Sequence, residues 1–403
     1  MKSFKEIVKE SAVPKDVIDI FLDLEQPSWA QFDPVVGYTL YKDNPRDGID
    51  GSSTISTAGK TGARTSHIYN SKPCRINTYG NSFTQCHQVS DGETWQEYLA
   101  AHLGEPIRNF GMGGFGVYQA YRRLVQIEKS DLSAENIIFY IWGDDHTRSL
   151  MRCRHAATRS WLRNKPPQMF HGNFWAHVEM DLSSKTLIEK ENPLSTPESL
   201  YQMTKPEFMY EALKDDLILQ LIFADKVNPE SLDMDKLNSL AQILEVKCLD
   251  SSSAERFKET LSNLIHAYSF AATKYILKKI VKFCSAMGKK LIVSLLCPTV
   301  TRQLLDGLPR YDQEIVDFLH DEDIDFFDMN VVHINDYKDF NLSVEDYMKR
   351  YYIGHYNPAG NHFFAFSIKD KIVESLDPKP ITYSNSDDNK IIDFSGYLPD
   401  TDN

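Results

Sequence analysis

The run Asn136-Ile-Ile-Phe-Tyr-Ile-Trp142, followed at once by Gly143-Asp144-Asp145, constrains this chain more than any other feature. Six consecutive apolar or aromatic residues without alternation describe a strand buried on both faces, which is the habit of parallel strands covered by helices. Similar punctuation recurs on either side. Arg75 to Tyr79 reads as a strand ending at Gly80, and Pro106 to Phe110 as a second that runs into a glycine cluster. Lys290 to Cys297 and Asp323 to Asp328 supply two more. Helical periodicity separates them at Glu93–Leu103, Tyr118–Lys129, Ser262–Met287 and Tyr311–His320, and a closing helix runs from Pro358 to Leu376. Strand–helix alternation of this kind builds a parallel sheet with right-handed crossovers.

The expected architecture is therefore an α/β fold, a three-layer α/β/α sandwich around a mostly parallel, flavodoxin-like sheet. Residues 71–150 and 262–376 form this core. Residues 1–70 read as an N-terminal extension with one amphipathic helix near Val13–Leu24 and a Pro/Gly/Ser/Thr-rich run from Asp33 to Gly62. Residues 151–261 are polar, rich in helix formers and interrupted by prolines, and read as an inserted helical cap. Residues 377–403 form an acidic, loop-like tail.

With 57 acidic against 44 basic residues the net charge is −13, which argues against nucleic acid or an anionic membrane surface as partner. Arg122, Arg123, Arg148, Arg152 and Arg154 could make a local basic pocket, although solvated helix faces are the better account of most of them. No segment reaches the roughly twenty apolar residues that span a bilayer. The first ten residues lack the apolar core of a signal peptide, and the six cysteines lack metal-ligand spacing, so a cytoplasmic setting with free thiols is expected.

Ligands of parallel sheets gather at the carboxyl ends of the strands. Four segments fall there: Tyr79-Gly-Asn-Ser-Phe-Thr-Gln85, Asn109-Phe-Gly-Met-Gly-Gly-Phe-Gly-Val-Tyr-Gln119, Trp142-Gly-Asp-Asp-His-Thr-Arg148 and Gly354-His-Tyr-Asn-Pro-Ala-Gly-Asn-His362. Each alone has an ordinary explanation: a helix cap, a flexible glycine loop, a surface turn, a capping histidine. Asp144, Asp145 and His146 also raise a metal site, which their adjacency on a tight turn disfavours. No cofactor motif of the phosphate-cradling kind is present.

The order of the four blocks resembles that of the SGNH (GDSL-like) hydrolase superfamily. The likeness extends to bacterial members with a Gly-x-Ser-Phe-Thr block (here Gly80–Thr84), an Asp-x-Glu-Thr-Trp helix start (Asp91–Trp95) and an Asn-x-Gly-x-x-Gly-x-Gly-x-x-Gln block (Asn109–Gln119). It covers about 75–150 and 265–375. The resemblance implies Ser82 as nucleophile, His355 as general base, and the N–H groups of Ser82 and Gly114 as oxyanion donors. Asn81, Gly113, His146, Arg148 and Tyr356 are the candidate substrate contacts. The implied activity is cleavage of a small-molecule or carbohydrate-linked acyl ester, without cofactor or metal; acyl transfer by the same pair, or binding without turnover, are the alternatives.

Three positions depart from the family pattern. Asn81 stands where an aspartate is expected, and an aspartate, expected to be Asp144 with Asp145 beside it, stands where an asparagine is expected. The acid that precedes the histidine by two or three residues is missing from Tyr351-Tyr-Ile-Gly-His355, leaving Asp336, Asp339 and Asp346 as candidates to orient the ring. Two carboxylates at the third block also raise the possibility of a cationic substrate.

Overall fold

A computed structural model describes residues 1–162 and 165–383. The acidic tail beyond residue 383 lies outside the described residues. The described residues hold nine strands: β1 (Ser28–Asp33), β2 (Gly37–Lys42), β3 (Ile76–Tyr79), β4 (Ile107–Asn109), β5 (Asn136–Ile141), β6 (His177–Asp181), β7 (Thr186–Lys190), β8 (Lys290–Leu295) and β9 (Phe326–Asp328).

Five of them form a parallel sheet in the order β4-β3-β5-β8-β9. Counted along the chain this is 2-1-3-4-5, so the strand order reverses at β3. The reversal decides where helices go. The helix Trp95–Leu103, linking β3 to β4, packs on one face with Pro358–Ser375. The helix Val117–Glu128, linking β4 to β5, packs on the other with Ala254–Ala286 and Gln313–Asp321. Crossovers of one hand that run in opposite directions along a sheet must cover opposite faces. Side-chain alternation matches: Ile137, Phe139 and Ile141 enter one cluster, Ile138 and Tyr140 the other. The non-alternating apolar run of β5 is the trace of that double burial.

The N-terminal stretch and the stretch 151–261 contain structure that periodicity did not signal. β1 and β2 form an antiparallel hairpin whose turn is held by Asp33, with Oδ1 accepting the N–H groups of Val35 and Val36 at 2.8 and 2.9 Å. β6 and β7 form a second hairpin inside the segment expected to be wholly helical. Both are too short for a period of two to stand out against a helical background. Phe4, Phe21, Trp29 and Tyr38 share one buried cluster with Leu200, Met209, Leu237 and Leu264, so the beginning of the chain, the segment before the long helix, and that helix's first half pack as one body. No helix among the described residues is long and apolar enough to cross a membrane.

Candidate active site

The switch at β3 leaves a crevice at the carboxyl ends of β3, β4 and β5, and the three glycine-bearing blocks all open into that region. After β3, Gly80 turns the chain and Asn81 caps the short helix Ser82–Gln85, its Oδ1 accepting the N–H of Phe83 at 2.7 Å. Asn81 therefore performs the capping, and the Ser82 hydroxyl is left for other work. That hydroxyl lies 2.7 Å from Nε2 of His355. The histidine arrives from the far end of the chain, on the turn before Asn357 caps the helix Pro358–Ser375.

The other ring nitrogen meets a residue that sequence reasoning missed. Nδ1 of His355 is 2.9 Å from Oε1 of Gln88, and the same oxygen accepts the backbone N–H of His355 at 2.8 Å. The amide cannot be turned around. Its oxygen faces a backbone donor, and its Nε2 donates to two backbone carbonyls, Asp47 at 2.9 Å and Ile353 at 3.1 Å. An oxygen so fixed requires a donor at Nδ1, so the proton of the neutral imidazole sits there and Nε2 presents a lone pair to Ser82. Asp336, Asp339 and Asp346 do not take this place. Asp336 accepts the hydroxyls of Tyr347 and Tyr351, Asp346 accepts the Ser343 hydroxyl, and Asp339 is exposed.

Gln88 is held by a clamp. The chain folds back through Cys86 and Gln88, both with positive φ (61° and 72°). Arg64 lies beneath this loop, donating to the carbonyls of Gln85, Cys86 and Val89 at 2.6 Å each and to Asp91 at 2.8 Å. Gly354, at φ +114°, is required by the same contact, because a side-chain carbon there would come within 2.8 Å of Gln88 Oε1.

The loop after β4 lies against this first segment: the N–H of Gly113 donates to Gln85 Oε1 at 2.7 Å. Its neighbour Gly114, at φ +82°, keeps its N–H free of any acceptor among the described residues, as does Ser82 at the first position of its helix. Two unclaimed N–H groups in one crevice are what an oxyanion needs.

The third block resolves two departures into one. The buried carboxylate is Asp145, not Asp144. Asp145 Oδ2 accepts the amide of Asn81 and the N–H of Trp142, while Asp144 is turned to solvent and bridged by Arg148 at 3.3 Å. The asparagine at 81 and the aspartate at 145 thus face each other, a donor–acceptor pair inverted as a unit. Burial raises the Asp145 carboxyl to about 7, against the opposing pull of Arg148.

Three expected substrate contacts point elsewhere. Asn81 is fully buried, with its side chain spent on Phe83 and Asp145, and does not line the cleft. His146 is buried, bonded to Thr273 at 2.8 Å and packed edge-on against Phe270. Tyr356 turns into the core, 2.6 Å from Nε2 of His333. Each sits next to a site residue in sequence: the turn of the helix Asp145–Arg148 withdraws His146, and Tyr356, held in a bridge with Tyr352, points away from its neighbour His355. With Asp144, Asp145 and His146 directed three ways, these residues do not converge on a metal.

The cleft has a volume of about 770 Å³ and is lined by Ser82, His355, Gly113, Gly114 and Arg148 of the expected residues. Trp29 from β1 joins them, in contact with His87 and His171. Asp47 also lines it, 2.8 Å from His87, whose ring lies against His355. A tryptophan in an N-terminal hairpin carries no sequence mark of this role. No protein-family description matches the chain, and no curated protein matches it significantly.

Proposed function

We propose that the chain is a serine hydrolase of the SGNH type, a three-layer α/β/α sandwich that cleaves an acyl ester through an acyl-Ser82 intermediate. The observation that carries the reading is the 2.7 Å contact between Ser82 Oγ and a His355 Nε2 whose lone pair is fixed by Gln88. Ser82 Oγ adds to the ester carbonyl as its proton passes to Nε2. The carbonyl oxygen, now an anion, accepts the N–H groups of Ser82 and Gly114. Collapse breaks the bond to the alcohol oxygen, which takes the proton back from Nε2. Water then gives a proton to Nε2 as it attacks the acyl carbon; the acyl–Oγ bond breaks, Ser82 Oγ takes that proton from Nε2, and the acid leaves.

A glutamine orients the ring as well as a carboxylate does, but it brings no charge to the imidazolium. Burial, with His87 and Arg148 nearby, holds His355 well below the ordinary imidazole range. A weak base removes a proton with less driving force, so esters with good leaving groups are favoured. All six cysteines are free, in keeping with a reducing, cytoplasmic setting.

The test is covalent labelling. A fluorophosphonate probe is expected to modify the wild-type chain and to spare Ser82→Ala. Failure to label, together with no turnover on a panel of acyl esters, overturns the reading in favour of a binding protein.

A further inference from the structure

One buried cation in the cleft forms no ion pair among the described residues. Arg154 is only 7% exposed and lines the cleft beside Gly114, so closely that a side-chain carbon on Gly114 would lie 2.6 Å from its Cζ and Nε. Its Nε and Nη1 are buried and reach no acceptor among the described residues. Among the described residues no carboxylate forms an ion pair with it. Its hydrogen-bonding neighbour Tyr38 is a phenol whose own proton goes to the carbonyl of Gly113 at 3.1 Å, so it lends a lone pair and no charge; the only carboxylate that acts on Arg154 among the described residues is Asp144, from a distance and already bridged by Arg148. Arg148 cannot balance it either, being itself cationic and already spanning Asp144 and Asp145.

A buried charge left without a partner is costly, and ordinary folding pressure removes it unless a ligand completes it. The surroundings extend the bias. Among the described residues that line the cleft, Arg46 and Arg154 form no ion pair, while Asp47 is engaged by His87 and Arg148 by Asp144 and Asp145, in a chain that is otherwise strongly acidic. Clefts that concentrate one sign of charge draw ligands of the other. The expectation of a cationic substrate fails here, because the carboxylates that suggested it are consumed by Asn81, Trp142 and Arg148.

We propose that the substrate carries a permanent anionic group (carboxylate, phosphate or sulfate) and that Arg154 binds it at the Gly114 side of the cleft. This rests on the hydrolase reading, since it names the substrate class of that site. A planar guanidinium with unclaimed N–H groups accepts any of these oxyanions in the same way.

The experiment separates the two readings by removing the nucleophile. Sulfate, phosphate and succinate are titrated calorimetrically into the full chain bearing Ser82→Ala, with and without Arg154→Gln. At least one is expected to bind the first about tenfold or more tightly than the second, and which one identifies the group. Equal affinity, or no binding of any of the three, overturns the proposal. Should Arg154→Gln lose its melting transition, Arg154→Lys takes its place, with weakened binding expected and unchanged binding contrary. In the Ser82-competent chain, the ratio of kcat/KM for para-acetoxybenzoate to that for its neutral methyl ester is expected to fall by about tenfold on Arg154→Gln. Equal losses on both would assign Arg154 to the developing oxyanion and overturn the proposal. Arg154-dependent anion binding without any esterase activity would sink the hydrolase reading and leave the anion site standing.

Discussion

Gln88 Oε1 accepts two hydrogen bonds from His355, one from its backbone at 2.8 Å and one from its ring at 2.9 Å. A neutral amide thus stands where serine hydrolases commonly place a carboxylate, and it is locked by the carbonyls of Asp47 and Ile353.

Removing that amide frees the ring. Gln88→Ala is expected to lower kcat by about 10²-fold with little change in KM, the signature of a lost orienting contact rather than lost binding. Gln88→Glu replaces the amide donor with an oxygen facing two carbonyls, so it is expected to lower the melting temperature while moving the activity profile, as described next. Steady-state kinetics beside thermal unfolding measures both.

Because burial depresses the His355 pKa, Nε2 stays unprotonated well into the acid range. The acid limb of kcat/KM is therefore expected below the ordinary imidazole value of about 6.5, with activity lost only as pH drops through the depressed value. In Gln88→Glu the added negative charge favours the imidazolium, and the limb should move to higher pH. A limb at or above about 6.5 in the wild-type profile would contradict the burial of the ring.

Stability should carry its own pH signature. His146 and His333 are held at about 3 by burial, so between that value and about 6.5 the unfolded chain binds more protons than the folded one. Stability on this account is present at neutral pH and is lost as pH falls. Asp145 works the opposite way: its raised value, about 7, means that the folded chain holds a proton the unfolded chain releases, and stability is lost as pH rises through 7. Asp145→Asn is expected to raise the melting temperature at pH 8 more than at pH 5.

The inverted pair at 81 and 145 predicts a non-additive cycle. Asn81→Asp alone sets two carboxylates against each other in a buried place and should destabilise strongly. Asn81→Asp with Asp145→Asn restores one donor and one acceptor, recovering about 1–3 kcal/mol of the loss in chemical denaturation. Additive effects would mean that the two side chains do not share a bond.

Arg64 is buried with Asp91, and its other nitrogens hold three carbonyls of the Gln88 loop. Arg64→Met leaves a buried carboxylate unpaired and is expected to cost about 3–5 kcal/mol. Activity under conditions where the variant remains folded should fall as well, because Gln88 loses its support.

What could be read from the residues alone follows physical lines. That Ser82, Gly114 and His355 share one cleft was legible because strand-ending glycines and a helix opening on Asn357-Pro358 fix where those residues sit along the chain. Gln88 was not legible: it does not titrate, and its approach to His355 depends on two left-handed residues that fold the loop back. The block order pointed to Asp144, but the rotation of a four-residue helix buries Asp145 instead. The same rotation withdraws His146. Trp29 and Arg154 reach the cleft only through the shared packing of the N-terminal hairpin and the segment after β5, contacts too distant in sequence for periodicity to report.

Both ring nitrogens of His355 are met by the single stretch 82–88, Ser82 at one end and Gln88 at the other. The working parts are consequently two pieces and not three, a socket and the key that enters it. Any slackening of the joint between 353–355 and that stretch parts His355 from Ser82 and from the Gln88 amide together. Heat or mild denaturant should then switch the chain off in one step, with no half-competent form in which the serine is still poised beside a wandering histidine.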